Sequence, residues 1–256
     1  MNQPVVSVVM PVYNGEKYIK KAVDSVFVQE VPLELLVIDD GSTDGTREVL
    51  SAYMGREGFR YLRNEKNMGA AGSRNRGVKE AAGRYIAFLD ADDWWEKGKL
   101  AEQLQVLERT GCVLCSTGRE LMNHDGTSTG RCIPVQEMIT YRELLLHNCI
   151  NCSSVVLDRE VALRYPMEHE DSHEDYITWM KILREYGKAA GVNKPYLKYR
   201  LSEGSKSGNK LKSARMTYAA YRYAGYGPFM SSLFFVSYAF HGLWKYSTII
   251  KKVFQK

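Results

Sequence analysis

The chain has 256 residues, of which 45% are hydrophobic and 25% charged, and this composition excludes a disordered or collagen-like protein. Its five cysteines are too few for a disulfide framework. The net charge of +5 is uneven, since residues 194–256 contain nine Lys and three Arg against one acid, Glu203. This basic segment favours an anionic partner. The chain does not open with a basic and then an apolar region, so we expect no secretory signal and a cytoplasmic protein.

The first 95 residues alternate between apolar runs typical of strands and segments with helical spacing of apolar residues. The predicted strands are Val5–Pro11, Leu33–Ile38, Phe59–Leu62 and Tyr85–Leu89, and the predicted helices are Lys17–Gln29, Gly45–Met54 and Ala70–Ala82. This alternation predicts a parallel sheet whose strands end at one edge. Ligands bind at such an edge.

The pattern is less regular after Trp95. The predicted elements are helices at Leu100–Arg109 and Tyr176–Glu185, strands at Val113–Ser116, Ser153–Leu157 and Tyr196–Leu201, and a turn at Asn123–Gly126. We see neither an internal repeat nor a long linker. The sequence therefore predicts one globular domain with a C-terminal appendage.

Acidic side chains directly follow the predicted strand Tyr85–Leu89. Asp90, Asp92 and Asp93 lie close together there, and neighbouring carboxylates repel each other unless a cation lies between them. One or two carboxylates, completed by phosphate oxygens and water, suit Mg²⁺ or Mn²⁺ bound with a diphosphate. A solvated acidic turn is the alternative. The cluster therefore indicates a divalent-ion site.

Polar residues also follow the first two predicted strands. Tyr13 and Asn14 begin a turn after the first strand, where an aromatic ring offers a flat face to a base or sugar, although an ordinary strand end is also consistent. Asp39 and Asp40 place two carboxylates at the end of the second strand. Asp44, further along, is either part of this group or a helix N-cap.

A glycine-rich segment, Asn67–Gly77, opens the third predicted helix. Glycines allow a ligand to approach the backbone closely, and Arg74 and Arg76 lie in the first turns of this helix. The segment therefore suits an anionic ligand. Its spacing matches neither a Walker loop nor a G-x-G-x-x-G fingerprint, which disfavours kinase-like and dinucleotide-dependent redox functions.

Two C-x-x-C pairs, Cys112 with Cys115 and Cys149 with Cys152, lie in apolar stretches with strand-like character. Residues three apart in a strand point to opposite faces. We therefore expect buried thiols rather than zinc sites.

These motifs occur in an order that resembles the family 2 glycosyltransferases with the GT-A fold, and in particular the bacterial capsule, teichuronic-acid and O-antigen enzymes. The resemblance spans about Val5 to Ser207. Its motifs are PVYN, IDDGSTDGT, NMGAAGSRNRG, FLDADDWW, HEDYITW, and YR with downstream serines. It implies an α/β fold with a mostly parallel central sheet flanked by helices and a C-terminal helical appendage.

The resemblance also implies a division of the chain and a set of site residues. Residues 1–208 would form the catalytic domain, with 1–95 as nucleotide-binding half and 96–208 as acceptor-binding half, and 209–256 would form basic, aromatic helices. The implied nucleotide-sugar contacts are Pro11, Tyr13, Asn14, Asp40, Asn67, Gly69, Arg74, Asp90, Asp92, Arg200 and Ser205. Asp92 and Asp90 would hold Mn²⁺ or Mg²⁺.

The same resemblance assigns the catalytic base to Asp175, with Glu174 beside it. A second pair, Glu170 and Asp171, lies four residues earlier, so the base is either Asp175 or the upstream acid. We prefer Asp175 because Tyr176 follows it in the family's manner.

The implied function is inverting, metal-dependent transfer of a sugar from a nucleoside diphosphate, a UDP-sugar in our interpretation, to a hydroxyl. The acceptor would be a saccharide or a lipid-linked acceptor in cell-surface polysaccharide synthesis. A nucleotidyltransferase and a non-catalytic carbohydrate-binding or scaffold protein are the alternatives.

The C-terminal segment combines basic residues with 12 of the chain's 29 aromatic residues. Residues 223–244 are uncharged but contain several polar residues, which favours a helix lying on a membrane surface over one that spans the bilayer. We therefore expect peripheral attachment to the inner face of the cytoplasmic membrane. The alternative is that the helix packs on the catalytic domain or on a second subunit of a homodimer. Nucleic acid is not the expected partner, because the charge accompanies long apolar runs.

Overall fold

The computed structural model describes residues 3–201 and 210–253, with side chains within 3–201 and 213–240. Its strands are β1 Val6–Val12, β2 Leu33–Asp39, β3 Phe59–Arg63, β4 Tyr85–Phe88, β5 Trp94–Trp95, β6 Leu114–Met122, β7 Ser128–Ile133, β8 Met138–Thr140, β9 Val156–Asp158 and β10 Lys188–Arg200. Its helices are α1 Ile19–Phe27, α2 Thr46–Ser51, α3 Gly69–Glu80, α4 Lys99–Thr110, α5 Tyr141–Leu146, α6 Arg159–Arg164, α7 Glu174–Tyr186, α8 Lys210–Tyr223 and α9 Pro228–Val253.

One mixed sheet, flanked by helices, organises the described residues. Its strand order is β3-β2-β1-β4-β9-β6-β10-β5, with β7 beside β6 and β8 beside β10. The first four strands are parallel, as the alternation of strands and helices predicts, and so are β6 and β10. Strand β9 joins the two halves and is antiparallel to both β4 and β6. The expected α/β fold is confirmed, but the parallel pairing does not extend through the second half of the chain.

Apolar side chains cover both faces of the sheet. On one face, Ile19, Ala22, Val23 and Val26 of α1 pack among the alternate residues of β1 and β2, which explains the helical spacing in the sequence. On the other face, α7 is packed into the core, with Trp179 and Ile182 fully buried. Consecutive residues of α7 from Tyr176 to Met180 are buried, so this helix is covered on several sides.

The second half of the chain departs from the sequence prediction at several places. The predicted strand Ser153–Leu157 corresponds to β9, which begins only at Val156. The last strand, β10, begins at Lys188 rather than at Tyr196, and a register shift between Val192 and Leu197 interrupts its pairing with β6. The strand-like placement predicted for the pair Cys149 and Cys152 is wrong, because Cys152 begins a single turn of 3-10 helix. Cys115 and Cys152 are buried as predicted, whereas Cys112 and Cys149 are only partly buried.

Helices α8 and α9 pack against the rest of the described chain. Ala220, Tyr221 and Ala224 belong to the same hydrophobic core as α7, and Phe234 and Phe235 lie against that core. Within the described residues, no helix is both long and apolar enough to cross a membrane. The predicted domain boundary at residue 208 falls outside the described residues, so this division remains a prediction.

Candidate active site

A cavity of about 640 Å³ lies where the carboxyl ends of β1, β2 and β4 meet the first turn of α7. Its volume is in the range typical of small-molecule sites. The predicted site residues in its wall are Pro11, Tyr13, Asn14, Asp40, Gly69, Arg74, Asp90, Asp92, Glu174, Asp175 and Arg200. Asn67 does not line it, and its exposed side chain accepts a hydrogen bond from Gly69 N. Ser205 lies outside the described residues.

The turn after β1 presents an open aromatic face. The side chain of Tyr13 is 54% exposed at the cavity wall, so its ring is accessible for stacking. Asn14 follows in a left-handed conformation, with φ of 54°, and its side-chain oxygen accepts a hydrogen bond from Thr43 N at 2.8 Å. The turn after β1 is thereby tied to the turn after β2.

Asp40 holds the glycine-rich segment against the end of β2. Its carboxylate accepts hydrogen bonds from Met68 N and Gly69 N, both at 2.8 Å, and from Asn64 Nδ2 at 2.6 Å. A carboxylate has about four acceptor positions, so one remains for a ligand. Gly69 has φ of +75°, and a Cβ there would lie 2.7 Å from Glu170 Cδ. Both the positive φ and this contact favour glycine at the position.

Arg74 connects the acidic residues after β4 to the acidic pair of α7. Its guanidinium donates to Asp90 Oδ1 at 2.6 Å and to Glu174 Oε1 at 3.0 Å, and the residue is only 5% exposed. Burial disfavours its charged form, but the charges of Asp90 and Glu174 and the hydrogen bond to Asp90 act together against this effect, and the pKa of Arg74 is raised. Two of its nitrogens are thus engaged by protein carboxylates.

Asp90 and Asp92 are half-buried in the cavity wall, whereas Asp93 is buried. Burial, together with the charges of Asp92 and Asp90, raises the pKa of Asp93, and its Oδ1 accepts a hydrogen bond from Arg200 N at 2.9 Å. Asp93 is therefore a structural acid.

The donor chemistry of Asp90 and Asp92 fits a divalent ion. Both offer hard carboxylate oxygens at the cavity, and the hydrogen bond to Arg74 uses Oδ1 of Asp90. Among residues 3–201 and the described part of the C-terminal helices, no group of three or more His, Cys, Asp or Glu could hold a metal. A site completed by diphosphate oxygens needs only one or two carboxylates.

The acidic pair at the start of α7 contains two different environments. Glu174 is 6% exposed and is bonded to Arg74. Burial and the neighbouring charge of Glu174 raise the pKa of Asp175 to about 7. A carboxylate with such a pKa is suited to accept a proton near neutral pH.

The upstream pair lies elsewhere. Glu170 Oε2 accepts a hydrogen bond from Ala71 N, at the start of α3, at 2.7 Å. Asp171 is exposed and accepts a hydrogen bond from Tyr223 Oη at 3.0 Å. Neither residue lines the cavity, whereas both members of the downstream pair do.

Arg200 lies at the end of β10 and is 5% exposed. Its Nε donates to Asp92 O at 2.9 Å, its Nη1 donates to His124 O at 2.6 Å, and its guanidinium lies 4.4 Å from the centre of the Tyr18 ring. It thereby fixes the turn after β4 to the tip of the β6–β7 hairpin.

Several cavity residues were not identified from the sequence. They are Tyr18, Ser73, Asn151, Cys152, His173 and Tyr199, among others. Ser73, His173 and Tyr199 lie within the motifs NMGAAGSRNRG, HEDYITW and YR, and Cys152 lies in a C-x-x-C pair, but the sequence assigned none of them to the site. No spacing pattern in the sequence could have placed them in one wall.

Comparison with known proteins identifies the family. The profile described as glycosyl transferase family 2 matches residues 7–162. The chain belongs to glycosyl transferase family 2. It is 39% identical over 240 residues to the putative teichuronic acid biosynthesis glycosyltransferase TuaG of Bacillus subtilis (strain 168), which covers 93% of this chain and 95% of the relative.

A second relative of this family 2 glycosyltransferase is 38% identical over 221 residues, covering 84% of each chain. It is the UDP-Glc:alpha-D-GlcNAc-diphosphoundecaprenol beta-1,3-glucosyltransferase WfgD of Escherichia coli. The chain is therefore a glycosyltransferase, and the nucleotidyltransferase and non-catalytic alternatives are excluded.

Solved structures show the same GT-A fold. S. aureus TarS 1–349 in complex with UDP-GlcNAc matches with a TM-score of 0.70 at 21% identity, covering 90% of this chain and 70% of that one. The mannosyltransferase PcManGT from Pyrobaculum calidifontis, in complex with GDP-Man and Mn²⁺, matches with a TM-score of 0.69 at 18% identity, covering 93% and 69%.

Proposed function

We propose that this glycosyltransferase transfers a sugar from a UDP-sugar to a hydroxyl of a saccharide or lipid-linked acceptor in cell-surface polysaccharide synthesis, with inversion at the anomeric carbon. The observation that carries the proposal is the single cavity shared by Tyr13, Asp92 and Asp175. The name of the WfgD relative supports the choice of a UDP-sugar donor and a lipid-linked acceptor, and the name of the TuaG relative supports a role in cell-surface polysaccharide synthesis.

The chain's own residues divide the work in this cavity. Tyr13, Pro11 and the remaining acceptor position of Asp40 would bind the base of the nucleotide. Asp175 would accept the proton of the acceptor hydroxyl, whose oxygen forms a bond to the anomeric carbon. The bond from that carbon to the diphosphate breaks, and the nucleoside diphosphate leaves. A single displacement of this kind inverts the configuration.

The acids after β4 would hold Mn²⁺ or Mg²⁺, with Asp92 as main ligand and Asp90 beside it. A divalent ion supplies charge stabilisation to the leaving diphosphate when it is bound. The protein's contribution is the placement of Asp90 by Arg74 and of the turn containing Asp92 by Arg200. The same Arg74 fixes Glu174, so the metal side and the base side of the cavity share one buried anchor.

A donor screen tests the proposal. Nucleotide release from UDP- and GDP-sugars is measured for the full chain, with Mn²⁺ or with a chelator, and with and without a GlcNAc-diphospho-lipid acceptor. We expect acceptor-dependent release from a UDP-sugar that chelation abolishes, and a product of inverted anomeric configuration by NMR. Full activity in excess chelator, or a product of retained configuration, would contradict the mechanism.

We also propose that the outer face of α9 docks this enzyme on an anionic membrane surface. Phe229, Leu233, Val236 and Phe240 recur at helical spacing and are 81%, 55%, 64% and 67% exposed. Phe234 and Phe235, on the opposite side of α9, pack against the hydrophobic core of the enzyme. Packing on the catalytic domain, the alternative to membrane docking, therefore explains the inner face of α9 but not its exposed outer face. The basic residues of the C-terminal segment favour anionic lipid.

Vesicle co-sedimentation tests this docking without truncating a helix that contributes to the core. The full chain is compared with a variant carrying Phe229→Ser, Leu233→Ser and Val236→Ser. The control carries Val28→Ser and Met54→Ser, since both residues are exposed elsewhere on the surface. We expect only the α9 variant to lose binding to vesicles containing phosphatidylglycerol. Equal vesicle binding by all three proteins, or no binding by any of them, would contradict membrane docking through α9. A dimer that only the α9 variant disrupts would indicate a second copy of the chain as the partner instead.

A further inference from the structure

The segment 168–173 leads directly into the candidate base and has little regular structure of its own. It joins α6 to α7, and its His169 adopts a left-handed conformation with φ of 64°. A non-glycine residue in this conformation persists only when its surroundings fix it. The first turn of α7 has no side-chain cap, so the start of this helix is not held by a local capping bond.

Helix α8 supplies contacts that hold this segment. The ring of Tyr223 stacks on His169, with ring centres 3.7 Å apart and planes inclined by 8°. The Tyr223 hydroxyl donates to Asp171 Oδ2 at 3.0 Å, and Ser172 Oγ donates to Met216 O at 2.8 Å. Ser172 and Met216 are both buried. Three of the six residues of the segment are thus bound by one helix.

The same segment is connected to the cavity on its other side. Glu170 bonds to the start of α3 through Ala71 N at 2.7 Å, beside Gly69 in the cavity wall. Asp175 follows two residues after His173, and both line the cavity. A displacement of the segment would therefore move the base relative to a bound donor.

We propose that helix α8 is a positioning element of the active site, in which Tyr223 fixes residues 168–173 and thereby the direction in which Asp175 faces the cavity. The proposal rests on the proposed role of Asp175 as base. It gives the C-terminal helices a part in the chemistry besides any role in docking. Small displacements of a catalytic group can reduce turnover by up to about 100-fold, so a loss of this support is measurable in kcat.

Tyr223 permits a clean test because it is 39% exposed and its removal opens no cavity in the core. Tyr186, the last residue of α7, is 37% exposed and provides a matched control. Tyr223→Phe retains the ring that stacks on His169 and removes only the hydroxyl. The three variants Tyr223→Ala, Tyr223→Phe and Tyr186→Ala are made in the full chain.

We expect Tyr223→Ala to lower kcat by about tenfold or more, with the donor KM within about twofold of the wild-type value, because the donor contacts are unchanged. Tyr223→Phe should restore most of the turnover, and Tyr186→Ala should resemble wild type. Hydrogen–deuterium exchange, measured without substrate, should increase in the peptide covering 168–176 only in Tyr223→Ala.

Wild-type kcat in Tyr223→Ala, or exchange that rises equally across the whole chain, would overturn the proposal. Equal kcat losses in Tyr223→Ala and Tyr186→Ala would do so as well. If the wild-type chain releases no nucleotide with any donor, the proposed function fails. The exchange measurement still decides whether α8 holds the segment.

Discussion

We expect the replacement of Asp175 by Asn to raise the stability of the fold and to lower the turnover of the enzyme. Asp175 has its pKa raised from 3.8 to about 7, chiefly by burial and then by the charge of Glu174. Above pH 7, ionisation of Asp175 therefore lowers the free energy of unfolding by at most about 4 kcal/mol. Asn retains the oxygen that accepts the bond from Tyr176 N at 2.7 Å.

The sign of the effect follows from the raised pKa. Below about pH 4 the carboxyl is protonated in both the folded and the unfolded chain, so Asn and Asp should be nearly equal. As the pH rises towards 7 the unfolded chain releases the proton first, and the wild-type fold loses stability. Above pH 7 the loss is complete. We therefore expect Asp175→Asn to unfold about 5–10 °C higher than wild type near pH 8.

Thermal unfolding by circular dichroism, at several pH values between about 4.5 and 8, measures the difference. Asp171→Asn is the control, because Asp171 is exposed and Asn keeps an acceptor for Tyr223. Donor binding by calorimetry should survive in Asp175→Asn while turnover falls by about 10²–10⁴-fold, whereas Asp171→Asn should be nearly silent. A stability difference independent of pH would refute the electrostatic argument, and loss of turnover in Asp171→Asn instead would move the base upstream.

Three further predictions follow from the site. Asp92→Ala should abolish transfer and metal-dependent donor binding with little change in the unfolding temperature, since Asp92 is only half-buried; calorimetry with and without Mn²⁺ checks this. The kcat/KM of the wild-type enzyme should fall about tenfold per pH unit below an apparent pKa near 7, as a pH series would show. Gly69→Ala should lower stability more than Gly55→Ala in urea unfolding, because both have positive φ but only Gly69 has a side chain, Glu170, within 3 Å of the added Cβ.

The local sequence does not distinguish the two acidic pairs, but the tertiary structure does. Glu170 with Asp171 and Glu174 with Asp175 are equivalent in the sequence, and only a resemblance to the family favours the second pair. In the structure, α3 and α8 bind the first pair, and the second faces the cavity. Contacts with these distant helices, absent from any local pattern, separate the two.

Arg74 is a similar case. Its place in the first turns of a glycine-rich helix suggests an anionic ligand, and the structure gives it two carboxylates of the protein itself, Asp90 and Glu174. Glu174 is 100 residues away in the chain. The sequence shows a cation near a ligand site, but the anions that pair with this cation are known only from the folded structure.

The sequence by itself determined the alternation of strands and helices in the first half and the strand ends at which Tyr13, Asp40 and Asp92 lie, because apolar spacing and turns are local properties of the chain. Tertiary structure alone decided the antiparallel joining by β9, the burial of α7 on several sides and the division of α9 into a packed face and an exposed face. These features depend on which surfaces meet after the chain has folded. Burial against distant elements also sets the raised pKa of Asp175, a property that no run of neighbouring residues encodes.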